Sequence, residues 1–163
     1  MAMICLTTDG SCIRNPGPGG WACIMRSAEF ERELIGRDPH TTNNRMELKA
    51  AIEGLAALHE PSDVEVVTDS EYLLRGVTER LARWKSNGWK TAVGKVVQNQ
   101  DLWRQLDAQV SRHNVRWTWV RGHGNNPDQN RCDGLAWSAA REQEALLGLT
   151  RVEAPETEER SYG

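Results

Sequence analysis

Between Met3 and Gly36 this chain shows no helical period, and from Asn43 onward helical and extended segments alternate. That order restricts the fold more than any other feature. Met3 to Thr8 is a short apolar run suited to a buried central strand. Asp9 to Gly20 is dense in turn formers, and Trp21 to Met25 resumes an apolar strand. Glu29 to Gly36 alternates weakly, as the second arm of an antiparallel hairpin would. A helical stripe of Met46, Leu48, Ala50, Ala51, Ile52, Leu55, Ala56 and Leu58 begins near Asn43, and Pro61 closes it. Val64 to Thr68 is a β-branched strand. Asp69-Ser70 is placed to cap a helix through Arg80, with a further helical piece to about Ser86 and a break at Asn87-Gly88. Residues 89–98 read as a loop, Asp101 to Ser111 as an amphipathic helix and Val115 to Val120 as a strand. A last helix is expected from Pro127 or Asp128 into the 140s. Strands first, then strands alternating with helices, predict an α/β domain with a mixed sheet.

The length of 163 residues fits one domain, which needs no disulfide or metal to fold. Cys5, Cys12, Cys23 and Cys132 form no C-x-x-C pair and are expected to be free thiols in a reducing cytosol. No apolar run approaches the roughly 18 residues a membrane span requires. Met1 to Leu6 has no basic region and reaches Asp9 almost at once, unlike a signal peptide, so a cytoplasmic protein with no membrane partner is expected. Residues 1–149 are read as the domain. Residues 150–163, with four glutamates against two arginines, are read as an acidic, disordered tail. The net charge of −3 argues at first against nucleic-acid binding. It is an average over unlike regions, however: Arg75 to Lys95 holds six basic residues against Glu79 alone, interleaved with Trp84 and Trp89. Such a segment suits phosphate contacts, with the tryptophans packed on sugars; the plainer reading makes the tryptophans local core and the charges a solvated face.

Asp9 and Asp69 follow strands, Glu47 lies in the first turn of the long helix and Asp133 in the first turns of the last one. Ligands of α/β sheets bind outside the carboxyl ends of strands, so Asp9 and Asp69 are positioned to converge. Clustered carboxylates without a nearby Cys or His pair suit Mg²⁺ or Mn²⁺ rather than Zn²⁺. Two such ions about 4 Å apart serve phosphoryl transfer. Taken singly, each acid has a plainer explanation. Asp9-Gly10 is a common turn, Asn44 with Glu47 a capping box, Asp69 a cap and Asp133 a partner for an arginine. Spacing alone does not show that the four meet.

The local motifs go further. TDGSC at 8–12, NPGPGGW at 15–21, TTNNRMEL at 41–48, TDSEY at 68–72, WVRGH at 119–123 and NRCD at 130–133 together resemble bacterial ribonuclease H type 1, in order and interval, over roughly residues 3–143. The resemblance implies a ribonuclease H-like fold, a five-stranded mixed sheet flanked by helices. It implies an endonuclease that cuts the RNA strand of RNA/DNA hybrids with two Mg²⁺ ions, Mn²⁺ able to substitute, leaving 5′-phosphate and 3′-hydroxyl ends. Asp9, Glu47, Asp69 and Asp133 match the metal-binding carboxylates, and His123, between Gly122 and Gly124, a histidine on a mobile loop that assists proton movement or product release. Cys12, Asn15, Asn43 and Asn44 match positions lining the hybrid's minor groove, and Thr42 with Asn43 a DNA-phosphate pocket. Arg83, Trp84, Lys85, Trp89 and Lys90 match the family's basic protrusion. The partner is then a hybrid duplex and the enzyme a monomer.

This chain also departs from the pattern. Val93, Val96, Val97 and Gln98 replace lysines of several relatives, and Glu71 stands for Gln. Asn130 stands for a Glu thought to tune the metal near Asp133, and Gly134 replaces another Glu. Two other readings share the features: a DNA nuclease on the same fold, against which Asn15, Asn43 and Asn44 argue, and a non-catalytic hybrid binder, against which the four acids argue.

Overall fold

Two parallel strands at the centre of the sheet place the carboxyl ends that the acids need. The computed structural model describes residues 3–153. Its five strands are β1 (Ile4–Cys12), β2 (Gly17–Arg26), β3 (Glu31–Thr41), β4 (Asp63–Thr68) and β5 (Asn114–Trp119), in the spatial order β3-β2-β1-β4-β5. β1, β2 and β3 form an antiparallel meander, and β4 and β5 extend it in parallel from β1. The mixed sheet expected from the order of strands and helices is therefore present. All three N-terminal strands are longer than their apolar runs. β1 carries on through Asp9 and Gly10 as far as Cys12, because β2 pairs with it along that whole length.

The helices are α1 (Asn43–Ala56), α2 (Glu71–Arg75), α3 (Leu81–Ser86), α4 (Gln100–Val110) and α5 (Pro127–Glu153). α1 stops at Ala56, short of Pro61. Alternation along β2 divides the core. Cys23 and Met25 face Leu48, Ala51, Ile52 and Leu55 of α1, whereas Ala22 and Ile24 face Cys132 and Ala136 of α5. A helix thus covers each face of the sheet. Cys5, Cys12, Cys23 and Cys132 are free thiols. No helix among the described residues is long and apolar enough to cross a membrane.

Two segments differ from the sequence reading. Residues Gly76–Arg80, read as the end of a helix, form a π-helical turn between α2 and α3. The wide turn sits where Trp103 of α4 presses in: a Cβ on Gly76 would fall 1.9 Å from the indole. α5 continues to Glu153, beyond the 140s: no proline interrupts Ala145–Glu153, and Gly148 is carried within the helix. The rest of the proposed tail lies outside the described residues.

His113 ties the end of α4 to the sheet. Its Nδ1 accepts from the Ser62 N–H (3.1 Å) and its Nε2 is 3.2 Å from the Leu55 carbonyl, to which it donates. Burial holds its pKa below the ordinary histidine value. A proton on Nδ1 would face the Ser62 N–H. The group therefore stabilises the fold above about pH 6.5, and the contribution is lost as pH falls below that value. Melting of native and His113→Gln protein from pH 7.5 to 5 checks this: the gap between the two melting temperatures should narrow toward acid, and a constant gap would refute it.

Candidate active site

Thr8 of β1 pairs in parallel register with Thr68 of β4, so Asp9 and Asp69 emerge side by side beyond that pair. Glu47 reaches them from α1. The helix is capped by Thr42, whose Oγ1 accepts from the Arg45 N–H at 3.2 Å. The expected Asn44–Glu47 capping box does not form. Thr42 keeps the extended backbone of β3, so the cap lies two residues earlier than Asn44 and Glu47 falls in the second turn of the helix, buried and turned to the sheet. Gly10 is what lets α1 come this close. A Cβ there would lie 2.4 Å from the Glu47 nitrogen. The bare Gly10 N–H instead donates to both Asp9 Oδ1 (2.9 Å) and Glu47 Oε1 (2.8 Å).

Carboxylate oxygens of Asp9, Glu47 and Asp69 lie within 4.8 Å of one another. Asp133, from the second turn of α5, lines the same open cavity of about 360 Å³, as do Asn43, Asn44 and Tyr72. Asp9 is only 3% exposed and Glu47 8%. Asp9 Oδ2 and Glu47 Oε2 are buried without a protein partner. Burial above all, and then the neighbouring negative charges, push the carboxyl groups of Asp9, Glu47 and Asp69 up from their ordinary values. Crowded acids with orphaned oxygens form a hard donor set that fits a divalent cation, which would satisfy those oxygens and relieve the repulsion.

His123 is exposed in the loop between β5 and α5, with φ at +57°. Gly122 lies on Asp69, since a Cβ there would be 2.8 Å from Asp69 Oδ2. The imidazole is close enough to favour the charged form of Asp69. Asn15 Oδ1 accepts from the Asn43 N–H at 3.1 Å, which joins the β1–β2 turn to the head of α1 and leaves the Asn15 amide as a free donor. Cys12 stands apart from the acid cavity, its thiol directed to the carbonyls of Thr41 (3.3 Å) and Gly17 (3.4 Å).

The basic segment mixes the two roles considered for it. Trp84 packs edge-on against the fully buried Trp103, with ring centroids 5.2 Å apart, and both Trp84 and Trp89 rest on the main core. Arg104 stacks on Trp89 at 5.5 Å. The tryptophans therefore shape the protrusion from within, and Arg83 and Lys90 project from it. Lys85, also exposed, reaches Asp107 at 3.2 Å.

Sequence reasoning missed Tyr72 and Gln129. The Tyr72 hydroxyl accepts from Asn99 Nδ2 (3.0 Å) and Trp103 Nε1 (3.1 Å) at the edge of the acid cavity. Gln129, 1% exposed, donates to the Thr8 carbonyl at 3.3 Å beside Asp9. A polar residue in a polar helix start carries no signal of burial.

A model of the RNase H family matches residues 2–141. Among curated relatives, the Ribonuclease H of Solibacter usitatus is 59% identical over 88% of this chain and 98% of its own. That of Pseudomonas savastanoi is 54% identical over 80% and 88%. A solved structure, LC9-RNase H1, described as a type 1 RNase H with the type 2 active-site motif, superposes with a TM-score of 0.80 at 31% identity, covering 88% of this chain and 74% of that one.

Proposed function

The chain belongs to the RNase H family, and from that premise we propose that it hydrolyses the RNA strand of RNA/DNA hybrids internally, leaving 5′-phosphate and 3′-hydroxyl ends. The observation that carries the proposal is the meeting of Asp9, Glu47 and Asp69 within 4.8 Å, with orphaned buried oxygens on two of them. Asp9, Glu47, Asp69 and Asp133 would hold two divalent cations, Mg²⁺ or Mn²⁺. When bound, such a pair supplies Lewis-acid activation of water and neutralisation of the leaving oxygen.

The chain's own groups do the rest. The Gly10 N–H orients Asp9 and Glu47 so that their other oxygens face the cavity. His123, beside Asp69 and open to solvent, takes up or returns the proton moved in hydrolysis. Asn15, Asn43 and Asn44, all exposed, offer amides to sugars and base edges, which suits 2′-hydroxyl recognition without a sequence code. Arg83, Lys85 and Lys90 face the phosphates farther along the duplex, and Thr42 holds the helix start that a DNA-strand phosphate would approach. The protein acts as a monomer in the cytoplasm.

Labelled RNA/DNA hybrid, duplex DNA and duplex RNA, each with Mg²⁺ or Mn²⁺, test the proposal. Cleavage is expected only in the RNA strand of the hybrid and is expected to vanish in Asp69→Asn. Cleavage of DNA, or equal cleavage by both proteins, would overturn it. Hybrid binding with no turnover in either metal would instead make the chain a non-catalytic binder.

A further inference from the structure

Asn130, a departure from the family pattern, makes a specific contact in the loop beside the active site. Its Nδ2 donates to the carbonyl of Gly124 at 3.0 Å. That carbonyl belongs to the residue after His123. The loop is fixed on both sides of this point. Upstream, the Val120 N–H donates to the Thr68 carbonyl (2.9 Å) and Trp119 Nε1 to the Asp69 carbonyl (3.2 Å). Downstream, Asn126 caps α5, its Oδ1 accepting from the Gln129 N–H at 3.0 Å. Between these anchors Gly122 and Gly124 leave the chain little stiffness of its own, and the Gly124 N–H bond to Arg121 O (3.2 Å) closes only a local turn.

We propose that Asn130 is a positioning residue that pins the His123 loop over Asp69. The chemistry requires a donor. A carboxylate has no proton to give at neutral pH, and at position 130 it would oppose the Gly124 carbonyl with lone pairs of its own. The amide turns that repulsion into a bond from the first turn of a long helix, a rigid base. It thereby fixes the backbone on which the imidazole rides. The inference rests on the proposed role of His123 for its consequence in catalysis, but not for the contact itself.

Asn130→Ala tests it. The residue is exposed in α5, where alanine is a good helix former, so the variant should fold and melt close to the native protein. Two measurements decide. First, amide hydrogen exchange at 122–125 should quicken in the variant; unchanged exchange overturns the proposal. Second, hybrid hydrolysis should fall roughly tenfold in kcat with little change in KM, a loss typical of a displaced catalytic group. In the His123→Ala background the same change should cost nothing further. An equal loss in both backgrounds would mean that Asn130 acts elsewhere and would also overturn the proposal. If His123→Ala itself leaves hydrolysis intact, it is the reading of His123 that fails, and the exchange result alone decides the clamp.

Discussion

Asp9→Asn is expected to lose hydrolysis of the hybrid by on the order of 10³-fold or more and yet to melt higher than the native protein when metal is absent. The two effects share one cause. Asp9 is almost fully buried, has one oxygen without a partner, and sits against Glu47 and Asp69. Burial and those neighbours raise its pKa. A carboxyl group raised in the folded state stabilises the fold below its unfolded value near 4 and loses that contribution as pH rises. At neutral pH without cations the site therefore works against the fold. Asparagine removes the charge, keeps an oxygen for the Gly10 N–H, and costs no volume. A gain of a few degrees corresponds to about 1–2 kcal/mol in a chain of this size. Mg²⁺ should raise the melting temperature of the native protein, because a ligand of the folded state stabilises it, and should do so far less for the variant. Melts in chelator and in Mg²⁺, at pH 8 and pH 5, check each sign. The advantage of the variant should shrink toward acid. A variant that melts below the native protein at pH 8 in chelator would show that the acids are not mutually repulsive.

The sequence carried the parts of the site that local chemistry announces, and it missed those that another element creates. Val64 to Thr68 is β-branched and Ser70 caps the next helix in the structure, its Oγ accepting from the Leu73 N–H, so the place of Asp69 was legible. Glu47 was legible as an acid of a helix start, but not as a buried one. The pattern from Asn44 to Glu47 is a local signal, and the length of β3, which moves the cap to Thr42, is a matter of pairing with β2. Trp84 and Trp89 looked like a stacking surface because their neighbours in sequence are basic. In space Trp84 meets Trp103 and Trp89 meets Arg104, both from α4 and at least 15 residues away, and no local pattern records it. The π turn at Gly76 has the same origin. Asn130 was visible as a departure from the family, but its partner, the Gly124 carbonyl, is a backbone atom and leaves no mark in residue types.

Gly10→Ala should be the most damaging single methyl addition near the site. Gly10 needs no unusual backbone angle; what it lacks is a Cβ. One placed there would come within 2.4 Å of the Glu47 nitrogen, 2.5 Å of the Met46 carbonyl carbon and 2.7 Å of the Met46 Cβ. Two of these are backbone atoms in the first two turns of α1, so no rotamer relieves the contact. The helix must withdraw from β1, and it takes Glu47 with it, lengthening the bond from the Gly10 N–H that now orients two of the acids. Overpacking of this kind costs about 1–3 kcal/mol and sometimes more. A shift of about 1 Å in a metal-binding carboxylate is enough to lower turnover by roughly 10²-fold. Gly36→Ala separates the two losses. The three atoms nearest its Cβ would all belong to the Trp21 ring, the first at 2.2 Å, a half-buried side chain that lines no part of the acid cavity. Both variants should melt below the native protein, but below its melting temperature Gly36→Ala should keep native kcat while Gly10→Ala does not. Because α1 carries both the core stripe and Glu47, stability and catalysis are coupled at Gly10 and only there among these two glycines. A folded Gly10→Ala protein with native kcat and native Mg²⁺ dependence would show that the acids tolerate the displacement, and the close approach of α1 to β1 would then serve packing alone.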